Sequence, residues 1–380
     1  MTTPGPGGRR VLVAPDKFKG CLTAVEVAAA VGRGLQQEIP DLAVVELPVA
    51  DGGDGTVEAA LTAGYSEVWA PATGPTGEPS TARYARRGQT AVVELAAVVG
   101  LDLLPGRRLE PLRSSTYGLG LVLRHAVEAG VQEVVLGLGG SASTDGGAGL
   151  AQALGARVLD AAGNELPPGG AALAEVAALD LRELRSRLEG VRVLVASDVT
   201  HPLLGTNGAA AVFGPQKGAG PAEVDQLDAA LGRWAAVVAV ATGTDHAAAA
   251  GAGAAGGAGF AALALLGGEM RSGIELVLDL IGFDQHLAGA ALVVTGEGSL
   301  DVQSLAGKAP VGVLQRARAV GVAVVVVAGR SLLSAAESRA AGFGAVYPLS
   351  DLEPDVARSM ANAGPLLTQC GATIARDWLA

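Results

Sequence analysis

Lysine occurs only four times among the chain's 27 basic residues, at Lys17, Lys19, Lys217 and Lys308, each time in a glycine-bearing segment. An ammonium group is a compact, strongly hydrated point charge, and glycine lets the backbone close around a small anion. The pattern reads as a phosphate or carboxylate site. The acids sit in the same kind of loop: Asp51 and Asp54 within Ala50–Gly55, Asp145 within Gly139–Gly147, Asp198 after Ala196 and Ser197, and Glu297 and Asp301 within Thr295–Asp301. Carboxylates supply either a proton acceptor or hard oxygen ligands for a divalent cation. Anion site, metal ligands and base are together the parts of phosphoryl transfer.

The elements that must position these groups can be read from periodicity. Val11–Ala14 is a short apolar run ending at Pro15 and Asp16, and Thr23 with Glu26 forms a capping box that opens an alanine-rich helix ending near Pro40. Val44–Val49 predicts the next strand and Thr56–Ala63 the next helix. After Tyr65 the texture changes: Gly74–Gly77 and Arg87–Gln89 are turns flanking alternating segments such as Thr81–Ala85 and Ala91–Leu95, which predict antiparallel hairpins. Val134–Leu138 and Val191–Ala196 read as buried strands. Helices are expected over Thr116–Ala129, Pro221–Ala241 and Gly257–Leu266. Parallel β/α texture returns with strands at Leu292–Thr295, Val322–Val327 and Ala345–Pro348, helices after Pro310 and Ser334, and a terminal helix.

The fold class expected is therefore α/β in two domains. Residues 1–67 and 290–380 would share one parallel sheet, with 68–289 inserted as a mixed α/β domain. In open α/β sheets ligands bind beyond the carboxyl ends of the strands, and Asp16, Asp51, Asp198 and Glu297 each follow a predicted strand. Lys17 and Lys19 follow the first strand, and Lys308 opens the helix after the Glu297 loop, where a helix N-terminus adds partial positive charge. The site is expected in a cleft between the two domains.

Composition narrows the classes. Hydrophobic residues make up 49% of the 380, with 56 glycines and only 3% aromatics, so the core must be aliphatic, as in layered α/β proteins. A net charge of −11 argues against nucleic-acid or anionic-membrane partners, so an anionic ligand needs local positive charge. Residues 1–10 lack the apolar run of a secretion signal, and Cys21 and Cys370 suit a reducing compartment; a cytoplasmic protein is expected. The uncharged stretch Ala247–Gly268 is long enough to span a membrane but too rich in alanine and glycine to drive insertion.

Simpler readings compete with several motifs. Gly251, Gly253 and Gly256 match the dinucleotide fingerprint, yet they follow alanines instead of a strand; packing is the favoured reading and a nucleotide turn the alternative. Neither a P-loop nor the protein-kinase signatures occur. The four histidines lack metal-ligand spacing. Ser141, Ser143 and Thr144 form a hydroxyl-rich loop with no histidine partner indicated, which fits an anion better than a covalent nucleophile. Asp54 and Asp145 could each cap a helix.

Taken together, Ala14–Ala24, Val49–Gly55, Ser114–Gly118, Gly137–Gly147, Asp198–Lys217, Thr295–Gly298 and Gly307–Pro310 closely resemble the sequence blocks of the bacterial type I glycerate kinases, nearly end to end and in the same order. The resemblance implies ATP-dependent phosphorylation of D-glycerate, usually at the 2-hydroxyl, with Mg²⁺, on a flavodoxin-like domain carrying an inserted α/β domain. Two positions depart from the pattern: Ser299, where the family commonly has arginine, and Cys21, commonly serine. On this reading Asp198 is the first candidate to accept the hydroxyl proton, with Asp51 its rival or a metal partner. Lys19 and Lys308 neutralise the transferring phosphate or the substrate carboxylate, Lys17, Asp54, Asn207 and Lys217 are further substrate- or phosphate-binding residues, and Glu297 and Asp301 hold Mg²⁺ directly or through water. The nucleotide meets either Gly139, Gly140, Ser141 and Ser143 or the loop of Gly253 and Gly256. A kinase of another small hydroxy acid, a two-lobed anion-binding protein and a nicotinamide-dependent enzyme are the alternatives, and a homodimer is left open.

Overall fold

A computed structural model describes residues 10–379. In chain order the strands are β1 (Arg10–Pro15), β2 (Ala43–Glu46), β3 (Ser66–Thr73), β4 (Pro79–Arg87), β5 (Thr90–Glu94), β6 (Glu133–Gly137), β7 (Arg157–Leu159), β8 (Ala178–Asp180), β9 (Arg192–Ala196), β10 (Glu269–Arg271), β11 (Ala290–Leu300), β12 (Val324–Ser331) and β13 (Ala345–Pro348). They form a five-stranded sheet in the order β13-β12-β11-β1-β2, a six-stranded sheet in the order β10-β9-β6-β5-β4-β3, and the small pair β7-β8. The chain separates into two compact units. One takes the chain up to Asp51, Glu58–Ala63 and everything from Ile274; the other takes Gly52–Val57 and Gly64–Gly273.

In the first unit every strand pairing is parallel. The strand order is that of a flavodoxin-like sheet, and its reversal lies between β1 and β11, the place where open α/β sheets bind ligands. Such a sheet is covered on both faces, so its strands read as unbroken apolar runs. Leu12, Ala14, Val293, Val324 and Val326 enter one core cluster, whereas Val11, Val13, Leu292, Val294 and Val325 enter the other. The helix Ala24–Glu38 begins at the expected Thr23 capping box, and it packs on the terminal helix Ala363–Trp378.

The six-stranded sheet of the second unit is mixed. β3, β4 and β5 are antiparallel through the expected turns, and β5, β6, β9 and β10 are parallel. Strand β3 was not read from the sequence. It is an edge strand with few buried positions and Pro71 within it, so it shows neither a continuous nor a cleanly alternating apolar pattern.

Two other strands differ from expectation in ways that matter. β2 ends at Glu46, before Pro48, although Leu47 and Val49 still donate to the Val13 and Pro15 carbonyls at 2.8 and 2.9 Å. β11 runs five residues past Thr295, so Glu297 and Ser299 lie in the strand itself and not in a loop. Glycine permits this: a Cβ on Gly296 would stand 2.4 Å from the Val327 carbonyl oxygen, and one on Gly329 would stand 2.5 Å from that of Gly298. Close pairing of β11 with β12 therefore continues to Ser299 opposite Arg330.

Candidate active site

At the carboxyl end of the parallel sheet lies a pocket of about 540 Å³, formed entirely by residues of the first unit. Asp16, Lys17 and Lys19 enter it from beyond β1, Asp51 from beyond β2, and Glu297 from the end of β11. Lys308 enters at the cap of the helix Ala309–Ala319, whose N-terminus adds partial positive charge. Residues separated by nearly 300 positions thus share one wall, because each follows a parallel strand.

The register of β1 on β11 is secured where it meets the pocket. Thr295 Oγ1 donates to the Ala14 carbonyl at 2.8 Å, and the Asp16 amide to that of Gly296 at 2.8 Å. Asp16 is buried; its Oδ1 accepts from the Lys17 amide at 2.7 Å and lies 3.5 Å from Lys17 Nζ. Burial pushes its pKa up to about 6 against the Lys17 charge, with Asp51 adding like charge. Glu297 is pushed further, to about 7, by burial, with Asp16 and Asp301 also raising it against the Ser304 hydroxyl and the Lys308 ammonium. Its Oε1 is buried with no hydrogen-bond partner among the described residues.

An orphaned carboxylate oxygen beside further acids, in surroundings that penalise their charge, suits a hard cation. Mg²⁺ takes one or two protein carboxylates and completes its shell with water and phosphate oxygens. Among the described residues no group of three or more His, Cys, Asp or Glu is placed to hold a metal alone. Asp301 is partly committed elsewhere: its Oδ1 accepts from the Gln303 and Ser304 amides at 2.8 and 3.1 Å and so ties the turn after β11.

The second unit carries the remaining sequence candidates. Lys217 is 1% exposed, and its Nζ donates to Ser141 Oγ at 2.8 Å and to the Ser143 carbonyl. Burial lowers its pKa to about 7 despite the Asp145 charge. Expected as a phosphate ligand, Lys217 instead spends its donors on the hydroxyl-rich loop. Gly256 belongs to the same knot. Its φ is +69°, and a Cβ there would stand 2.0 Å from the Ser143 carbonyl oxygen. The Gly146 amide also donates to the Gly256 carbonyl at 3.0 Å, so the two glycine loops between which the sequence could not choose are packed against each other. Gly253 comes close to the Pro202 carbonyl, and no strand precedes this glycine run. What the structure shows at Gly253 and Gly256 is backbone packing.

Gly139 and Gly140 follow β6 after Leu138. Ser143 Oγ and Thr144 Oγ1 are buried with no partner among the described residues. Asp145 is fully buried, accepting from Ser115 Oγ, the Thr116 amide and hydroxyl, and the Gly147 and Gly149 amides, which makes it a clamp for the helix start at Ala148. Asp198 is exposed after β9, with Oδ1 accepting from the Gly273 amide at 3.0 Å. Asn207 is exposed, its carbonyl 3.0 Å from His201 Nδ1, and Asp54 is exposed as well.

Three residues were missed. Asp16 was noticed as a strand-end acid but given no role. Buried Glu94 accepts from the Gly55 and Val57 amides at 3.1 and 3.2 Å and so anchors the Ala50–Gly55 loop; a strand-terminal acid was its only signal. Arg330 reaches the pocket from β12 and could have been found only from strand register. Cys21 and Cys370 are both free thiols.

Comparison with known proteins agrees in one direction. The profile of the glycerate kinase family matches residues 11–379. Glycerate 2-kinase of Escherichia coli K12 is 42% identical over 84% of this chain and 85% of its own, and glycerate kinase of Bacillus subtilis 168 is 43% identical over the same shares. A crystal structure from Salmonella typhimurium LT2, described as a glycerate kinase 2, superposes with a TM-score of 0.85 at 40% identity and covers 98% of both chains.

Proposed function

The chain belongs to the glycerate kinase family, and from that premise we propose that it transfers the γ-phosphoryl group of ATP to D-glycerate, at the 2-hydroxyl, giving 2-phosphoglycerate. The observation that carries this reading is the gathering of Lys17, Lys19 and Lys308 with Asp16, Asp51 and Glu297 in one pocket at the carboxyl end of a parallel sheet. Phosphoryl transfer asks a protein for positioning and charge neutralisation more than for covalent chemistry.

Each group has a part. Lys19 and Lys308 neutralise the transferring phosphate, the latter with the help of its helix N-terminus, and Lys17 holds Asp16 while adding charge. Glu297, with Asp16 beside it, would hold Mg²⁺, and Asp301 would reach it through water. The chemistry it would supply there is to offset the negative charge of the phosphate. Asp198 is the first candidate to take the proton from the attacking hydroxyl and Asp51 the second. In the second unit Lys217 fixes the Ser141–Ser143 loop, leaving Gly139 and Gly140 to meet the nucleotide.

The test is phosphorus NMR of the product formed from ATP, Mg²⁺ and D-glycerate. A phosphate on the 2-hydroxyl supports the proposal, a phosphate on the 3-hydroxyl overturns the acceptor position, and no ADP release overturns the reaction. Asp198→Asn and Asp51→Asn separate the two acids. Loss of a general base lowers kcat about 10²–10⁴-fold with little change in nucleotide affinity, so whichever variant retains near-normal kcat is removed from that role.

A further inference from the structure

Resting on the reading above, we propose that Arg330 is the residue that binds the acceptor's carboxylate, and that the Ser299 hydroxyl holds its guanidinium in place. Arg330 sits near the carboxyl end of β12, directly opposite Ser299 of β11 in the parallel register. Both line the pocket that holds Lys17, Lys19 and Lys308. Arg330 Nε donates to Ser299 Oγ at 3.1 Å. That neutral hydroxyl is its one hydrogen-bond partner among the described residues, none of whose carboxylates pairs with the guanidinium, and both terminal nitrogens remain for a ligand.

Chemistry decides which ligand. A guanidinium is a planar fork that matches a carboxylate with two parallel hydrogen bonds, whereas an ammonium is a point charge suited to phosphate oxygens from any direction. The pocket holds three ammonium groups and a helix N-terminus for phosphate. Arg330 is its single guanidinium. Fixing Nε on a serine restricts a long side chain before the ligand arrives and lowers the ordering cost of binding. By the resemblance drawn from the sequence, arginine is common in the family where this chain has Ser299, and cross-strand pairing lets β12 supply a guanidinium to the same rim. Glycine at 329 is what allows the close approach, since a Cβ there would meet the Gly298 carbonyl oxygen at 2.5 Å.

Steady-state kinetics of four proteins test the proposal. Arg330→Ala is expected to raise KM for D-glycerate about ten- to hundredfold while changing KM for ATP less than about twofold, the range for losing a charge-assisted pair. Arg330→Lys should recover only part, because it keeps the charge and loses the fork. The double variant Ser299→Arg with Arg330→Ala moves the guanidinium back across the strands and should bring KM for D-glycerate to within about threefold of the wild type. Calorimetric titration of D-glycerate should give the same ranking without turnover. An unchanged KM for D-glycerate in Arg330→Ala, or a rise confined to ATP, overturns the proposal while wild-type turnover leaves the glycerate kinase reading standing. Absence of wild-type turnover overturns that reading and this one with it.

Discussion

Glu297 shows what burial does to a single carboxyl group. Its ordinary pKa of 4.5 is raised to about 7, and one carboxylate oxygen is buried without a donor among the described residues. Because the folded form holds the proton more tightly than the unfolded chain, this group's contribution to stability falls as pH climbs from 4.5 to about 7, and the penalty is complete above that. Glutamine cannot ionise. Glu297→Gln should therefore raise the unfolding free energy of the metal-free protein at pH 8, by at most roughly 3 kcal/mol at about 1.4 kcal/mol per pKa unit, with no gain at pH 4. Urea unfolding at both pH values checks this, and a variant less stable at pH 8 would refute it. Lys217 is the cationic counterpart, a buried ammonium pushed down to about 7 whose hydrogen bonds organise a loop. For this residue sequence could supply the type and its glycine-rich setting, but not the burial that separates a loop anchor from a ligand.

At the scale of elements, the site depends on where parallel strands end. Periodicity located β1, β6, β9 and β13 to within a residue or two, because buried strands of an α/β sheet are continuous apolar runs. It stopped β11 too early, since the glycines that look like a loop in sequence are what keep two strands close in space. Glycine has a similar use between helices. A Cβ on Gly34 would stand 1.9 Å from the Thr368 carbonyl oxygen, and one on Gly371 would stand 2.3 Å from that of Val31. Ala24–Glu38 and Ala363–Trp378 can pack this closely only while both positions stay bare. Gly34→Ala should cost about 1–3 kcal/mol by forcing backbone apart, despite alanine's better helix propensity. Chemical denaturation measures it, and a stabilised variant would show that the helices yield freely.

Over the whole molecule, a net charge of −11 means that phosphate can be attracted only by a local concentration of cations, and one pocket provides it. The same pocket holds acids that favour protonation near neutral pH, so cation binding and proton binding compete there. Adding Mg²⁺ should raise the midpoint of thermal unfolding at pH 8 and leave it unmoved at pH 5, with a gain of about 2.7 kcal/mol at a hundred times Kd. Scanning calorimetry reads this without turnover. An equal shift at both pH values would place the ion elsewhere, and in Glu297→Gln the shift should shrink. No described helix is long and apolar enough to cross a membrane.

Sequence alone determined the α/β class, the parallel strands and the family, because buried strands, capping boxes and glycine-bounded blocks are local patterns that survive without coordinates. It also picked out the lysines and acids by their rarity and their loops. Only the tertiary structure decided which of them share a pocket, since convergence comes from strand order. Burial and register did the rest: Lys217 went inside, Asp16 became a proton-favouring acid, and Arg330 was laid against Ser299 from a strand whose residues give no hint of it.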